Sequence, residues 1–200
     1  MSTVAASDVK ALRERTGAGI LDCRGALEEA GGDADRAVEI LRSKGQAQAA
    51  KRAGAEAREG VVQQYIHAGN KIGVLVEVDC ETDFVARTDK FIEFARDLAL
   101  HIAAAAPLAV SDDALPADER EREERIATEQ AADRPENVRD KIVQGKLDKW
   151  LDDVVLLRQK HVKEDVYGGQ TIEEIRTSLA SETGENVVIR RFARFQVGEA

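Results

Sequence analysis

The segment that decides the fold is residues 61–80, VVQQYIHAGNKIGVLVEVDC. Val61 to Ala68 and Ile72 to Cys80 repeat with a period of two, and Gly69-Asn70-Lys71 between them is typical of a tight turn. The pattern therefore predicts a β-hairpin. Val74-Leu75-Val76 is apolar on both faces, so we expect the second strand to be covered on both sides.

Two further segments extend this hairpin. Asp89 to Ala106 repeats its apolar residues every three or four positions and stops before Pro107, which predicts an amphipathic helix packed on the hairpin. Val187 to Val197 alternates again and predicts a third strand. One face of that strand is half apolar and half basic, as expected of a contact surface, and carries Val188, Arg190, Phe192, Arg194 and Gln196.

The residues before the hairpin predict helices. From Ser7 to Gly45, apolar residues recur at near-helical spacing in three runs separated by glycines, the third closed by Gly45, which predicts a compact three-helix module within residues 1–45. Residues 46–60 are rich in alanine and charge, so they favour a linker helix with little bulk to bury. The core would then span residues 61–200.

The middle of this core also has helical patterns. An acidic, mixed-charge segment follows the amphipathic helix, and Pro135 then opens a second helical stretch. Together they predict a helical hairpin at about 117–160. The chain as a whole is therefore predicted to be α+β, with an amino-terminal three-helix module and a small three-stranded antiparallel sheet covered by helices and a helical hairpin.

Charge and hydropathy exclude several functions. The 200 residues carry a formal net charge of -9, which disfavours nucleic-acid binding by broad phosphate neutralisation. An RNA-binding helical hairpin at 136–165 would be poorly charged for that task. No apolar run is long enough for a membrane span or an export signal. The two cysteines are far apart and fit a reducing compartment, so we expect a cytoplasmic protein.

Candidate catalytic groups are few. The sequence has no phosphate-binding loop, and its three histidines and two cysteines lack metal-site spacing. Cys80 could be a nucleophile at a strand end, but no base or cation stands in position, and a small buried residue is the alternative. His101 lies beside its helix's apolar stripe and has a structural alternative too. We therefore expect no enzyme activity, no cofactor and no metal.

Three blocks resemble one known family. VKALRERTGAGILDCRGALEEAGGD at Val9–Asp33 resembles the amino-terminal signature of bacterial elongation factor Ts, and VEVDCETDFVAR at Val76–Arg87 resembles its Thr-Asp-Phe-Val signature. RRFARFQVGE at Arg190–Glu199 resembles its final strand. The blocks occur in the family's order and at its separation. The resemblance covers nearly the whole chain and matches the short form of the family, which has a single core subdomain.

This resemblance implies a translation factor that exchanges guanine nucleotide on elongation factor Tu. It implies a wedge that enters the partner's nucleotide domain and disturbs its Mg²⁺ and phosphate sites, formed by Thr82, Asp83, Phe84 and Val85. The alternative for Phe84 is packing under the following helix. The three-helix module resembles a ubiquitin-associated domain, and the resemblance implies that it grips the partner through Lys10, Arg13, Ile20 and Leu21.

The short form further implies a homodimer and a 2:2 assembly with elongation factor Tu, without direct binding of nucleotide, nucleic acid or membrane. A contact with the partner's third domain would come from the opposite chain, through Ile72, Gly73 and His101. Phe192 and Arg194 are the candidates for the dimer contact, which we expect to be isologous.

One departure and two alternatives remain. Gln159-Lys160-His161 stands where the family often has Gln-Pro-Phe, so the path of the following loop is open. A generic ubiquitin-associated module would explain residues 7–45 but leaves the hairpin, the Thr-Asp-Phe-Val turn and the last strand unused. A thiol enzyme built on Cys80 is the alternative from another class.

Overall fold

The computed structural model describes residues 4–199 and confirms the α+β fold. Three antiparallel strands form one sheet in the order β1-β2-β3: β1 Glu59–Ile66, β2 Ile72–Cys80 and β3 Val188–Gln196. The α-helices are α1 Ala6–Thr16, α2 Ile20–Glu29, α3 Ala34–Arg52, α4 Asp83–Ala86, α5 Asp89–Ala105, α6 Ala117–Ala131, α7 Glu136–Val154, α8 Glu164–Tyr167 and α9 Ile172–Thr183. Within the described residues, none of these helices is long and apolar enough to cross a membrane.

The chain divides into two compact units, each made of segments that are separate in sequence. The first contains the residues up to Gly60, Asp79–Phe91 and Glu174–Val188, and the second contains Val61–Val78, Ile92–Glu173 and the residues from Ile189 onward. The first segment of the first unit ends at the predicted boundary at residue 60, whereas no boundary falls at residue 45 and two segments of the predicted core belong to the first unit. The Thr-Asp-Phe-Val turn belongs to the same unit as the amino-terminal helices.

The amino-terminal helices of the first unit enclose a small core. Gly17 ends α1 in the left-handed conformation, with φ 71°, and the Asp33 side chain caps α3 by accepting hydrogen bonds from two backbone N–H groups. The buried residues of this core are Leu12, Cys23, Ala26, Leu27, Ala30 and Ala37. A core of this size needs only three short helices, as the apolar spacing predicted.

The prediction that Gly45 ends the third helix is wrong. α3 continues through it to Arg52, so residues 46–52 of the predicted linker helix are the end of α3, and the rest of that segment is not helical and leads into β1. A Cβ atom at Gly45 would lie 2.9 Å from Ser181 Oγ and 3.2 Å from Ser181 Cβ, in α9 of the same unit. The glycine therefore allows a close approach of two helices rather than a chain reversal.

The second unit contains most of the sheet and the helical hairpin. A turn at residues 67–71 joins β1 to β2, with Gly69 and Asn70 at positive φ. α6 and α7 pack against each other as the predicted helical hairpin. A small apolar cluster at its base contains Ala109, Leu115, Leu151 and Val155.

Candidate partner-binding site

The candidate site begins where β2 ends. Thr82 keeps an extended backbone, and its Oγ1 accepts a hydrogen bond from the backbone N–H of Val85, so Thr82 is the N-cap of the single-turn helix α4. We call residues Thr82–Val85 the exchange turn. The sharp change from strand to helix puts Phe84 at the outer side of this turn.

Phe84 is 80% exposed. Its ring offers a large apolar area that a partner can bury. The alternative that Phe84 packs under α5 is wrong, since that role requires a buried ring. Asp83 next to it forms an ion pair with Arg87 at 2.8 Å, and both side chains keep much of their surface in water. Phe84 and Asp83 are thus both accessible to a partner.

Cys80 lies directly before this turn and does not have the features of a nucleophile. It is fully buried, and its Sγ donates a hydrogen bond to the carbonyl oxygen of Thr82 at 3.2 Å. Burial and the nearby Glu185 carboxylate raise the pKa of the Cys80 thiol to about 11. Because the thiolate is the reactive form, this environment disfavours catalysis at neutral pH.

The first unit exposes a second set of candidate residues. Ile20 and Leu21 at the start of α2 are 57% and 82% exposed, so both point away from the module's core. Lys10 and Arg13 are exposed on α1, and Lys10 forms a surface ion pair with Glu14 at 3.7 Å. The first unit thus exposes two adjacent aliphatic side chains on α2 and two cationic side chains on α1.

In the second unit, His101 is fully buried and does not reach the surface. Its Nδ1 accepts a hydrogen bond from the backbone N–H of Val162 at 3.2 Å, so its Nε2–H donates to Gln159 Oε1 at 2.9 Å. Burial lowers the pKa of His101, which favours this neutral form. The structure therefore argues against the predicted direct contact of His101 with a partner, whereas Ile72 and Gly73 are only half-buried.

Arg194 also lies on a covered surface. Its side chain is 13% exposed, and its guanidinium donates to the carbonyl oxygen of Ala103 at the end of α5 and to Glu199 at 2.9 Å. Arginine suits this position because its stem covers apolar surface while its charge meets the helix carboxyl end. Phe192 is half-buried with the same alternation. The face of β3 that carries Phe192 and Arg194 is therefore largely covered within the chain, and its role as a dimer contact stays a prediction.

The opposite face of the sheet, which we call the outer sheet face, is open and apolar. A Cβ atom at Gly73 would lie 3.1 Å from Ile66 Cδ1, and Arg191 pairs with Glu77 at 2.6 Å, which fixes the register of this face. Its exposed apolar side chains are Val62, Ile66, Leu75, Phe195 and Val197. Our reading of the sequence missed these residues, although the alternation in β1 and β3 already separated them from the covered set.

Comparison with known proteins decides the family. The family model described as Elongation factor TS matches residues 35–167 of this chain. The chain belongs to the elongation factor Ts family. Elongation factor Ts of Carboxydothermus hydrogenoformans is 52% identical over 194 residues, covering 96% of this chain and 88% of the relative. The protein of the same name from Anaeromyxobacter sp. is 52% identical over 201 residues, covering 100% and 90%.

A third relative supports the same family assignment. Elongation factor Ts of Thermotoga petrophila is 49% identical over 191 residues, covering 96% of this chain and 94% of the relative. Membership of the elongation factor Ts family implies a translation factor that exchanges nucleotide on elongation factor Tu, which is not catalysis in the usual sense.

The structure also shows how this elongation factor Ts family member accommodates Gln159-Lys160-His161. Lys160 forms an antiparallel bridge with Thr171. His161 Nδ1 accepts from Lys163 N–H at 3.0 Å, so its Nε2–H donates to the Asp97 carbonyl oxygen at 3.2 Å. Burial and the neighbouring His101 lower the pKa of His161 to about 4. The buried Gln159 and His161 thus hold this loop from inside the second unit, whereas Lys160 is exposed.

Proposed function

We propose that this chain speeds GDP release from elongation factor Tu by inserting Phe84 into the partner's nucleotide domain, where it disturbs the Mg²⁺ and phosphate sites. The observation that carries the proposal is the exposure of Phe84 on a capped turn. A ring with few rotatable bonds on a fixed turn loses little entropy when it is buried by a partner. Asp83 and Val85 flank the ring and would line the same contact.

The amino-terminal module would supply affinity rather than exchange. Ile20 and Leu21 offer exposed apolar surface, and Lys10 and Arg13 offer cations that select for an acidic or carbonyl-rich partner surface. Because the module and the exchange turn lie in the same unit, a partner bound by the module would meet the exchange turn as part of one body. We propose these four residues as the gripping contact.

Exchange of this type is coupling between two ligands of one partner. The chain and GDP-Mg²⁺ would each favour a different arrangement of the phosphate site, so each weakens the binding of the other by the same factor. A hundredfold weakening of GDP corresponds to about 2.7 kcal/mol of coupling free energy. In this mechanism the chain itself does not have to bind nucleotide. It would act in the cytoplasm.

We also propose that two copies pair through the outer sheet face and bind two copies of elongation factor Tu. The five exposed apolar residues of this face would be covered in a symmetric contact, in which each residue meets the same face of the second copy. Ile72 and Gly73 lie on the half-buried end of β2 and would contact the partner from the opposite chain.

Two experiments test these proposals. Stopped-flow release of a fluorescent GDP analogue from elongation factor Tu should accelerate with this chain and reach a plateau as its concentration rises. Light scattering should give the mass of two chains, and Phe195→Glu on the outer sheet face should give the mass of one. Unchanged release rates would refute the exchange proposal, and a single-chain mass for the wild type would refute the dimer.

A further inference from the structure

The exchange turn is held by a carboxylate from a distant part of the sequence. Glu185 lies between α9 and β3, and its Oε2 accepts hydrogen bonds from the backbone N–H groups of Glu81 and Thr82, both at 3.0 Å. Its Oε1 accepts from the hydroxyl of Thr82 at 2.6 Å. Three donors from two consecutive residues thus meet one carboxylate. Charge-assisted bonds of this kind are stronger than neutral ones.

This contact also determines how Thr82 caps α4. An ionised carboxylate has no proton to give, so the hydroxyl of Thr82 must donate to Glu185. The oxygen lone pairs then remain to accept from the N–H of Val85, at 3.4 Å. Glu185 therefore fixes both the backbone that enters the exchange turn and the side-chain rotamer that starts α4.

The loop that carries Glu185 is itself tied down within the same unit. Glu81 Oε1 accepts from the backbone N–H of Asn186 at 2.6 Å, and Arg52 Nη1 donates to both oxygens of Glu81 at 3.1 and 3.2 Å. The side-chain amide of Asn186 donates to the carbonyl oxygen of Ala55 at 2.8 Å. Each of the two loops thus supplies a carboxylate to the backbone of the other, which makes Glu185 a fixed support.

We propose that Glu185 is a positioning residue for nucleotide exchange, which holds the exchange turn in the orientation that presents Phe84. The inference rests on the function proposed above for Phe84. Glu185 does not have to touch the partner. Without it, the exchange turn samples other orientations, and only the competent fraction promotes GDP release.

The test separates the rate of exchange from the affinity for the partner. For Glu185→Ala, GDP release from elongation factor Tu is measured over a range of factor concentrations. We expect the maximal rate to fall about tenfold. The net contribution of a charge-assisted hydrogen bond is large enough to change the fraction of molecules in the competent orientation by about this factor. The half-saturating concentration should stay nearly constant, because the amino-terminal module still binds. Glu39→Ala removes an exposed carboxylate from α3 of the same unit and should change neither quantity.

A double variant tests whether Glu185 acts through Phe84. If it does, adding Glu185→Ala to Phe84→Ala should cause no further loss. An equal loss in both backgrounds would overturn the inference, as would a Glu185→Ala variant with an unchanged maximal rate or a change in half-saturating concentration alone. If instead Phe84→Ala by itself releases GDP as fast as the wild type, it is the proposed function that fails.

A milder substitution covers the case in which Glu185→Ala does not fold. Glu185→Gln keeps the shape and one oxygen that can accept from the backbone N–H groups, but its amide nitrogen then faces the Thr82 hydroxyl. We expect it to fold as the wild type does, judged by circular dichroism and thermal melting, and to show a partial loss of maximal rate. A folded Glu185→Gln variant that keeps the full maximal rate would contradict the inference.

Discussion

Removing the ring of Phe84 should reduce exchange without harming the fold. The Phe84→Ala substitution deletes a side chain that is 80% exposed, so it creates no cavity. Surface substitutions of this kind usually change the free energy of unfolding by less than about 0.5 kcal/mol. Thermal melting of Phe84→Ala should therefore match that of the wild type.

The loss of exchange follows from the area that the ring can bury. Complete burial of a Phe side chain contributes about 1.5–3 kcal/mol. Since four-fifths of Phe84 is still in water, insertion into a partner would gain about 2 kcal/mol, which corresponds to a roughly 30-fold change. We therefore expect Phe84→Ala to slow GDP release about 30-fold.

Stopped-flow release of a fluorescent GDP analogue measures this change directly. Val166→Ala is the matched control, because it truncates another exposed apolar side chain, in the second unit, that we assign to no contact. Val166→Ala should release GDP at the wild-type rate. Equal rates for Phe84→Ala and the wild type, with both folded, would refute the assignment of Phe84.

Three other predictions concern stability and the remaining alternative. The pKa of His161 is about 4 in the folded chain against an ordinary value of 6.5, so stability should be lost as pH falls from about 6.5 towards 4. Between pH 7.5 and 5, the free energy of unfolding measured by urea denaturation should fall by about 2 kcal/mol, and that of His161→Gln should fall by less. An equal fall in both proteins would contradict the assignment of this effect to His161. In Gly145→Ala, the added methyl group in α7 would project into open space, so this variant should be more stable by about 0.5–1 kcal/mol. In Gly45→Ala, the methyl group would contact Ser181, so no such gain is expected. Thermal melting of the two variants tests this difference. Cys80→Ser should retain exchange activity. Loss of exchange activity in a folded Cys80→Ser variant would favour the thiol-enzyme alternative.

Periodicity predicted most of the fold correctly, because it reports which side of each element meets the core. The alternation in residues 61–80 gave the hairpin, and the three-to-four spacing gave α5 almost to its last residue. Alternation in β3 also separated its two faces. It did not show which face the helices cover, since Arg194 can lie across a covered surface and still reach polar partners.

Contacts between segments that are distant in the sequence could not be predicted from the sequence. Glu185 and Thr82 are 103 residues apart, and neither has a spacing that marks the other. Gly45 resembled a helix end because a single glycine fits both a stop and a close approach. The resemblance implied that His101 contacts the partner, but its two hydrogen bonds lie inside the second unit. Tertiary packing decided each case.

The most direct test of the central claim is the rate of GDP release from elongation factor Tu, with and without this chain, at millimolar Mg²⁺ and after Mg²⁺ is removed. If the chain acts by disturbing the Mg²⁺ and phosphate sites, it should accelerate GDP release strongly with Mg²⁺ present. Without Mg²⁺ the acceleration should be much smaller, because the removal of Mg²⁺ has already disturbed part of the same site. No acceleration at either Mg²⁺ level would contradict exchange, and equal acceleration at both would contradict the mechanism.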